Sequence, residues 1–171
     1  KTTGAYTWDV YGPLDAVGLP TSTITLPSGI STPRGSWGPR FLLGGATMDY
    51  VIVTYGAALE IAAPAVITHA LFMSNTIGVD FLAPGRLISS TVRNSEVGIL
   101  VRQNVSPTIQ ATNVMTSSDV GLWNAQTLTL TVPGMWWGST VTSTIEAAIR
   151  DQYDDGRLGR VEWRPAASGA W

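Results

Sequence analysis

The chain has no cysteine. That excludes a disulfide framework and thiolate metal sites, and leaves the redox compartment unmarked. It has a single histidine, His69, which removes most imidazole-based chemistry at once. Its only lysine is Lys1, and the other nine cations are arginine, a bias that points to a GC-rich genome. Charged residues make up 13% of the 171 positions, against about 25% in an ordinary soluble domain. Net charge is −2, and the arginines are scattered rather than clustered, so a polyanionic partner such as nucleic acid is not expected. A surface so poor in charge leaves little to keep copies apart, and it suits a protein much of whose exterior meets other protein.

Long hydrophobic runs are also missing. The most apolar stretch, GAALEIAAPAVITHALFM from Gly56 to Met73, is interrupted by Glu60, Pro64 and His69. A membrane-spanning helix needs about 20 apolar residues and tolerates a central Glu badly, so this stretch reads as core. KTTGAYTWDVYG at the start has no apolar segment of signal-peptide type. No internal repeat, heptad or low-complexity tail is read from the chain.

What is present is β-type alternation between closely spaced Gly and Pro. AYTWDVY (5–11), STITL (22–26), ATMDYVIVTY (46–55), AVITHALFM (65–73), TIGVDFL (76–82), RLISSTVR (86–93), EVGILVRQ (96–103), TIQATNVM (108–115) and QTLTLTV (126–132) each read as one strand. In the last, Leu128, Leu130 and Val132 share a face and the threonines take the other. AALEIAA (57–63) could be a short helix ended by Pro64. GISTPRGSWGPR (29–40) is too broken for any element and reads as a long loop. STVTSTIEAAI (139–149) alternates and is expected as a strand that turns at Asp154-Asp155-Gly156 into RLGRVEW. A helix from Ser143, with Ser143-x-x-Glu146 as a capping box, competes with that reading. About eight to ten short strands separated by turns predict a single all-β domain over residues 1–171, an antiparallel jelly-roll sandwich or barrel.

Catalytic constellations are hard to assemble. His69 lies in an apolar run; a Ser-His-Asp relay through it is conceivable, but a histidine bonded to a neighbour is the plainer reading. No G-x-S-x-G elbow occurs. Asp151, Asp154 and Asp155 form the densest acidic group. They offer oxygen ligands of calcium type without EF-hand spacing, and they read more simply as a solvated turn. Asp49, Asp80 and Glu60 sit in apolar surroundings where pKa values can shift, but no carboxylate pair of glycosidase type is selected by spacing. Gly44-Gly45 precedes a strand, so no phosphate cradle is expected. No enzyme activity, cofactor, metal or small-molecule substrate is therefore predicted.

The aromatic residues carry the functional signal. There are seven tryptophans. Trp123 and Trp163 read as core. Trp136 and Trp137 are adjacent, so on a strand they face opposite ways, one inward and one outward. Trp171 is terminal and useful only if something holds it. Tyr6, Trp8, Trp136, Trp137 and Trp171 are thus the candidate interface anchors, since Trp and Tyr dominate binding hot spots. Exposed aromatics could equally form a sugar-stacking platform in a carbohydrate-binding β-sandwich.

In length, jelly-roll patterning, near absence of lysine and absence of cysteine, the whole chain resembles the small major capsid proteins of tailless, icosahedral, membrane-containing phages of Thermus. The resemblance implies a structural virion protein assembled in the host cytoplasm. It implies a homo-oligomer packed beside a second, larger major capsid protein above an internal viral membrane, with no catalytic residues. A phage tail or head-decoration role belongs to the same structural class.

Overall fold

The computed structural model describes residues 6–27, 37–41, 45–115, 117 and 119–171, with backbone alone at 6–8, 27 and 37–41. The architecture is all-β but is not a jelly roll. Every strand pairing between the named strands is parallel, and the chain winds as a β-solenoid of about four turns. Each full coil lays down three strands. β1 (Tyr6–Val10), β2 (Leu14–Val17) and β3 (Ile24–Pro27) form the first. β4 (Trp37–Phe41), β5 (Ala46–Asp49) and β6 (Val51–Thr54) follow, then β7 (Leu59–Ile61), β8 (Ala65–Thr68) and β9 (Leu71–Met73). β10 (Ile77–Phe81), β11 (Gly85–Ile88) and β12 (Thr91–Arg93) come next, then β13 (Val97–Val101), β14 (Thr108–Gln110) and β15 (Asn113–Met115). The C-terminal part holds β16 (Val120–Asn124), β17 (Leu130–Thr131), α1 (Thr142–Ala147), β18 (Ile149–Arg150) and β19 (Val161–Glu162).

Stacked coils make three walls. The first runs β1-β4-β7-β10-β13-β16-β18, the second β2-β5-β8-β11-β14, the third β3-β6-β9-β12-β15. Leu59 lies beside Val79, and Val79 beside Ile99, a step of 20 residues. The chain therefore does contain a repeat. Its signature is a position rather than a residue: Leu59, Val79, Ile99 and Leu122 fill one interior column and are fully buried.

The corners explain why alternation was read as sandwich strands. ATMDYVIVTY, AVITHALFM, RLISSTVR and TIQATNVM are each two strands bent around a corner, not one. The bends sit at Tyr50, His69, Ser89 and Ala111, with φ of 50°, 47°, 48° and 46°. A second corner column has Tyr55, Ser74 and Asn94 at 56°, 60° and 54°. Left-handed backbone costs a non-glycine residue roughly 1 kcal/mol or more, so glycine would be the usual signal, and none of these seven is glycine. The parallel ladder continues through the bends and offsets that cost: Tyr50 N–H donates to Thr68 O, His69 N–H to Ile88 O and Ser89 N–H to Gln110 O. Buried polar side chains complete the corners. Ser90 Oγ donates to Ile88 O and accepts from Ala70 N–H. Asn75 accepts from Gly56 N–H at 2.7 Å and donates to Val53 O.

Other expectations are corrected in the same terms. AALEIAA contains β7 rather than a helix. In the stretch read as a loop from 29 to 40, residues 37–40 belong to β4, and the rest lies outside the described residues. STVTSTIEAAI contains α1 (Thr142–Ala147), in which Ile145 is the one buried residue, and a single apolar stripe fits a short helix. Its N-cap is Val141, whose N–H donates to Ser139 Oγ, so the Ser143 capping box does not form. Asp154-Asp155-Gly156 does not turn a hairpin: β19 pairs in parallel with β17. Leu130 and Val132 enter the core as expected, whereas Leu128 is exposed.

Gly78, Gly98 and Gly121 form a column in which backbones approach too closely for a side chain. A Cβ at Gly78 would stand 2.5 Å from Gly98 O, and one at Gly98 would collide with Gly121 O. Gly98→Ala is expected to destabilise the fold by about 2 kcal/mol through overpacking, read as a lowered urea midpoint. Gly156→Ala, where the added atom meets nothing, is the control.

Candidate functional site

Polar chemistry collects in three places. The first is the corner at His69. Its Nδ1 lies 2.8 Å from Asp49 Oδ1, and Thr68 Oγ1 donates to the same oxygen at 2.7 Å. An ionised carboxylate only accepts, so Nδ1 carries the proton and Nε2 is the basic nitrogen. The Tyr50 ring stacks on His69 with centroids 4.6 Å apart. Burial works to raise the Asp49 carboxyl. The hydrogen bonds from His69 and Thr68, the nearby imidazole and the Tyr50 N–H outweigh it, and the carboxyl lies below its ordinary value. Ser89 occupies the equivalent corner one coil along, yet among the described residues no hydrogen bond joins it to His69. The arrangement is a base and its orienting acid without a nucleophile, which is half of a relay.

The second is the row on the first wall that alternates with the interior column. Asp80 is buried, and Arg102 closes over it with Nε 2.9 Å from Oδ1 and Nη2 2.7 Å from Oδ2. This fork raises the Arg102 pKa. At the next stations Leu100 is buried and Trp123 lies under the Arg150 guanidinium at 4.4 Å.

The third is a cleft of ≈ 930 Å³ in the C-terminal part, lined by Glu146, Tyr153, Asp154, Arg160, Glu162 and Trp163, among others. Asp151 supports it from beneath: its carboxylate accepts from Tyr153 N–H and Val161 N–H, while its own N–H donates to Asp154. Asp155 is paired with Arg157, whose side chain and N–H hold its carboxyl down at about 2. These three aspartates are thus engaged with their own chain, and among the described residues no group of acids and histidine is placed to hold a metal ion.

The five predicted anchors are not brought together. Tyr6 and Trp8 lie on β1, beside Trp37 and Pro39 of β4, at the N-terminal end; their side chains lie outside the description. Trp136, Trp137 and Trp171 lie at the opposite end. Trp137 is buried in its own core and cannot anchor a neighbour. Trp136 extends the third wall, with its N–H donating to Thr112 O and its carbonyl accepting from Val114 N–H. Trp171 is held by Asn113 and donates from Nε1 to Gly134 O, yet remains 66% exposed. Trp163 packs on the core and carries the Arg164 guanidinium at 4.6 Å. Among the described side chains, the row of exposed aromatic faces that a sugar-stacking platform needs is not assembled from Trp136, Trp137, Trp163 and Trp171.

Sequence reasoning read strands at 5–11 and 22–26, where β1 and β3 lie, but missed β2 and the coil that joins the three. Val10, Leu14, Ala16, Ile24 and Leu26 belong to the core by position but are only partly buried. The 20-residue step does not reach them: Leu14 pairs with Ala46 and Ile24 with Val51, steps of 32 and 27 residues. Among the described residues, no helix is long and apolar enough to cross a membrane.

No family model, curated protein or solved structure matches this chain.

Two predictions follow from the ion pairs. Asp80 is 3% exposed and Arg102 49%. Arg102→Ala strands a buried carboxylate and should cost about 2 kcal/mol or more. Adding Asp80→Leu should recover most of that loss, as read by chemical denaturation. Asp49 has a depressed folded-state pKa, so it contributes stability above its unfolded value of 3.8, and this is lost as pH falls through the folded value. The stability difference between the wild type and Asp49→Asn should be present above the unfolded value of 3.8 and shrink as pH falls below it, measured by urea midpoints across acidic pH.

Proposed function

We infer that this chain is a structural virion protein without catalytic activity, and that a tail or head-decoration role suits it better than a tile in the shell. The observation that carries this reading is the solenoid itself combined with a charge-poor exterior. Stacked coils form a stiff, quasi-one-dimensional body, suited to projecting or spanning. The exterior has few of the charges that keep soluble proteins apart. The shell-tile reading drew on a jelly roll, and with it on a second, larger capsid protein and an underlying membrane. A parallel solenoid removes that support.

Antibodies raised against the chain and applied, with gold label, to particles purified from a lysate of its host test the proposal. Label confined to tails or vertices is the expected result. Even label over the shell would restore the lattice role, and particles lacking the chain would reject the virion reading.

A carbohydrate-binding role is the second reading, and the C-terminal cleft favours it. Tyr153 is highly exposed at its edge, beside carboxylates and the Arg160 guanidinium that could bond hydroxyl groups. Against it, Trp163 has its ring covered. If the cleft binds glycans, a panel should quench tryptophan fluorescence, and Tyr153→Ala should abolish the response. A flat response across the panel removes this reading.

A further inference from the structure

We propose that the N-terminal end of the solenoid is a homotypic interface, at which two copies stack end to end about a twofold axis. The proposal does not depend on the virion reading. It starts from an asymmetry between the two ends. At the C-terminal end the core is closed: Leu130, Val132, Met135, Trp137, Ile145, Ile149 and Val161 all join the buried cluster. β18 covers the edge of β16, and Trp136 covers the edge of β15.

At the N-terminal end, β1, β2 and β3 are the outermost strands of the three walls. Among the described residues nothing pairs with their outer edges. The apolar residues that face the core there, Val10, Leu14, Ala16, Ile24 and Leu26, are only partly covered. Val17 and Leu19 on the same coil are 59% and 60% exposed. Free strand edges are ordinarily protected by lysine, proline or a bulge. Between residues 6 and 27 the only charged residues are Asp9 and Asp15, there is no cation, and Pro27 is the only proline within the three strands.

A second copy is the occupant that these facts favour. A backbone edge complements itself, because an antiparallel partner offers an acceptor for each donor and a donor for each acceptor. Turning one three-walled coil over onto another about a twofold axis makes all three contacts antiparallel. The third wall meets its own copy and the first and second exchange partners, which places the corner at Gly12 on the axis. The strands contain five, four and four residues, so on the order of a dozen backbone hydrogen bonds can form around a closed apolar centre. The contact would bury on the order of 1,000 Å² in total, near the lower limit for a specific interface. Stacking of this end on the C-terminal end of another copy would meet the cap on the first and third walls and find only the short edge of β14 on the second. Two acidic residues provide little basis for selecting a foreign partner by charge.

The absence of cysteine gives a direct test. Gly12 and Gly169 each have open space where a side chain would begin, so Gly12→Cys and Gly169→Cys report on the two ends separately. Light scattering on the full chain is expected to give twice the 18.2 kDa monomer mass, with little dependence on salt. Under mild oxidation Gly12→Cys should give a covalent dimer and Gly169→Cys should not. Val17→Lys combined with Leu19→Lys should return the protein to a monomer with unchanged circular dichroism, while Val141→Lys at the capped end should leave the dimer intact. A monomer at every concentration would overturn the proposal and assign the end to another occupant. Open-ended growth with concentration, crosslinking through Gly169→Cys instead of Gly12→Cys, or a folded Val17→Lys, Leu19→Lys protein that still dimerises would each overturn it as well.

Discussion

In this fold the backbone groups of one coil are satisfied by the coils on either side of it. Strands within a coil do not pair with each other; each pairs with its counterparts in the neighbouring coils, about 20 residues away from the second coil to the fifth and about 30 between the first and second. Register is therefore fixed along the whole axis. A slip at one coil would turn an interior column such as Leu59, Val79, Ile99 and Leu122 to the outside. The left-handed corner residues, the glycine column and the buried Asn75 and Ser90 exist to keep that register while the chain turns. The same constraint leaves the ends as the places where pairing runs out.

Much of the local structure was legible. Strand-forming segments, Gly and Pro punctuation and the inward side of Leu130 and Val132 followed from alternation. The direction of pairing did not, because alternation has the same period in parallel and antiparallel sheets. The corners concealed the repeat further. Tyr50, His69, Ser89 and Ala111 share one backbone conformation and nothing in side-chain chemistry, so each two-strand bend looked like one continuous strand. The wall carrying Val79 and Ile99 lacks such a bend, and there the predicted strands were nearly right.

The candidate site was less legible still. The aromatic side chains were singled out, but linear sequence could not divide them between the two ends of the solenoid. Trp137 was taken by the core, and Trp123 and Trp163 by arginine guanidinium groups. Asp80 is a different kind of failure. Its apolar neighbours suggested burial, yet its partner Arg102 is supplied from the next coil, 22 residues away. Only the coil length makes that partner visible.

The cap has a consequence for how the molecule comes apart. In a stack held by nearest-neighbour contacts, opening is cheapest where a coil has one neighbour instead of two. In a single copy one end is sealed by α1, Trp137 and the Asp151 knot, and the other is a coil with a neighbour on one side only and half-covered leucine and isoleucine. Loss of structure then has a direction: it peels from β1 towards β18, like a zip with one end sewn shut. In the single copy amide hydrogens should mark that gradient, exchanging fastest in the first coil and slowest beneath the cap, and pairing of two copies should slow the first coil.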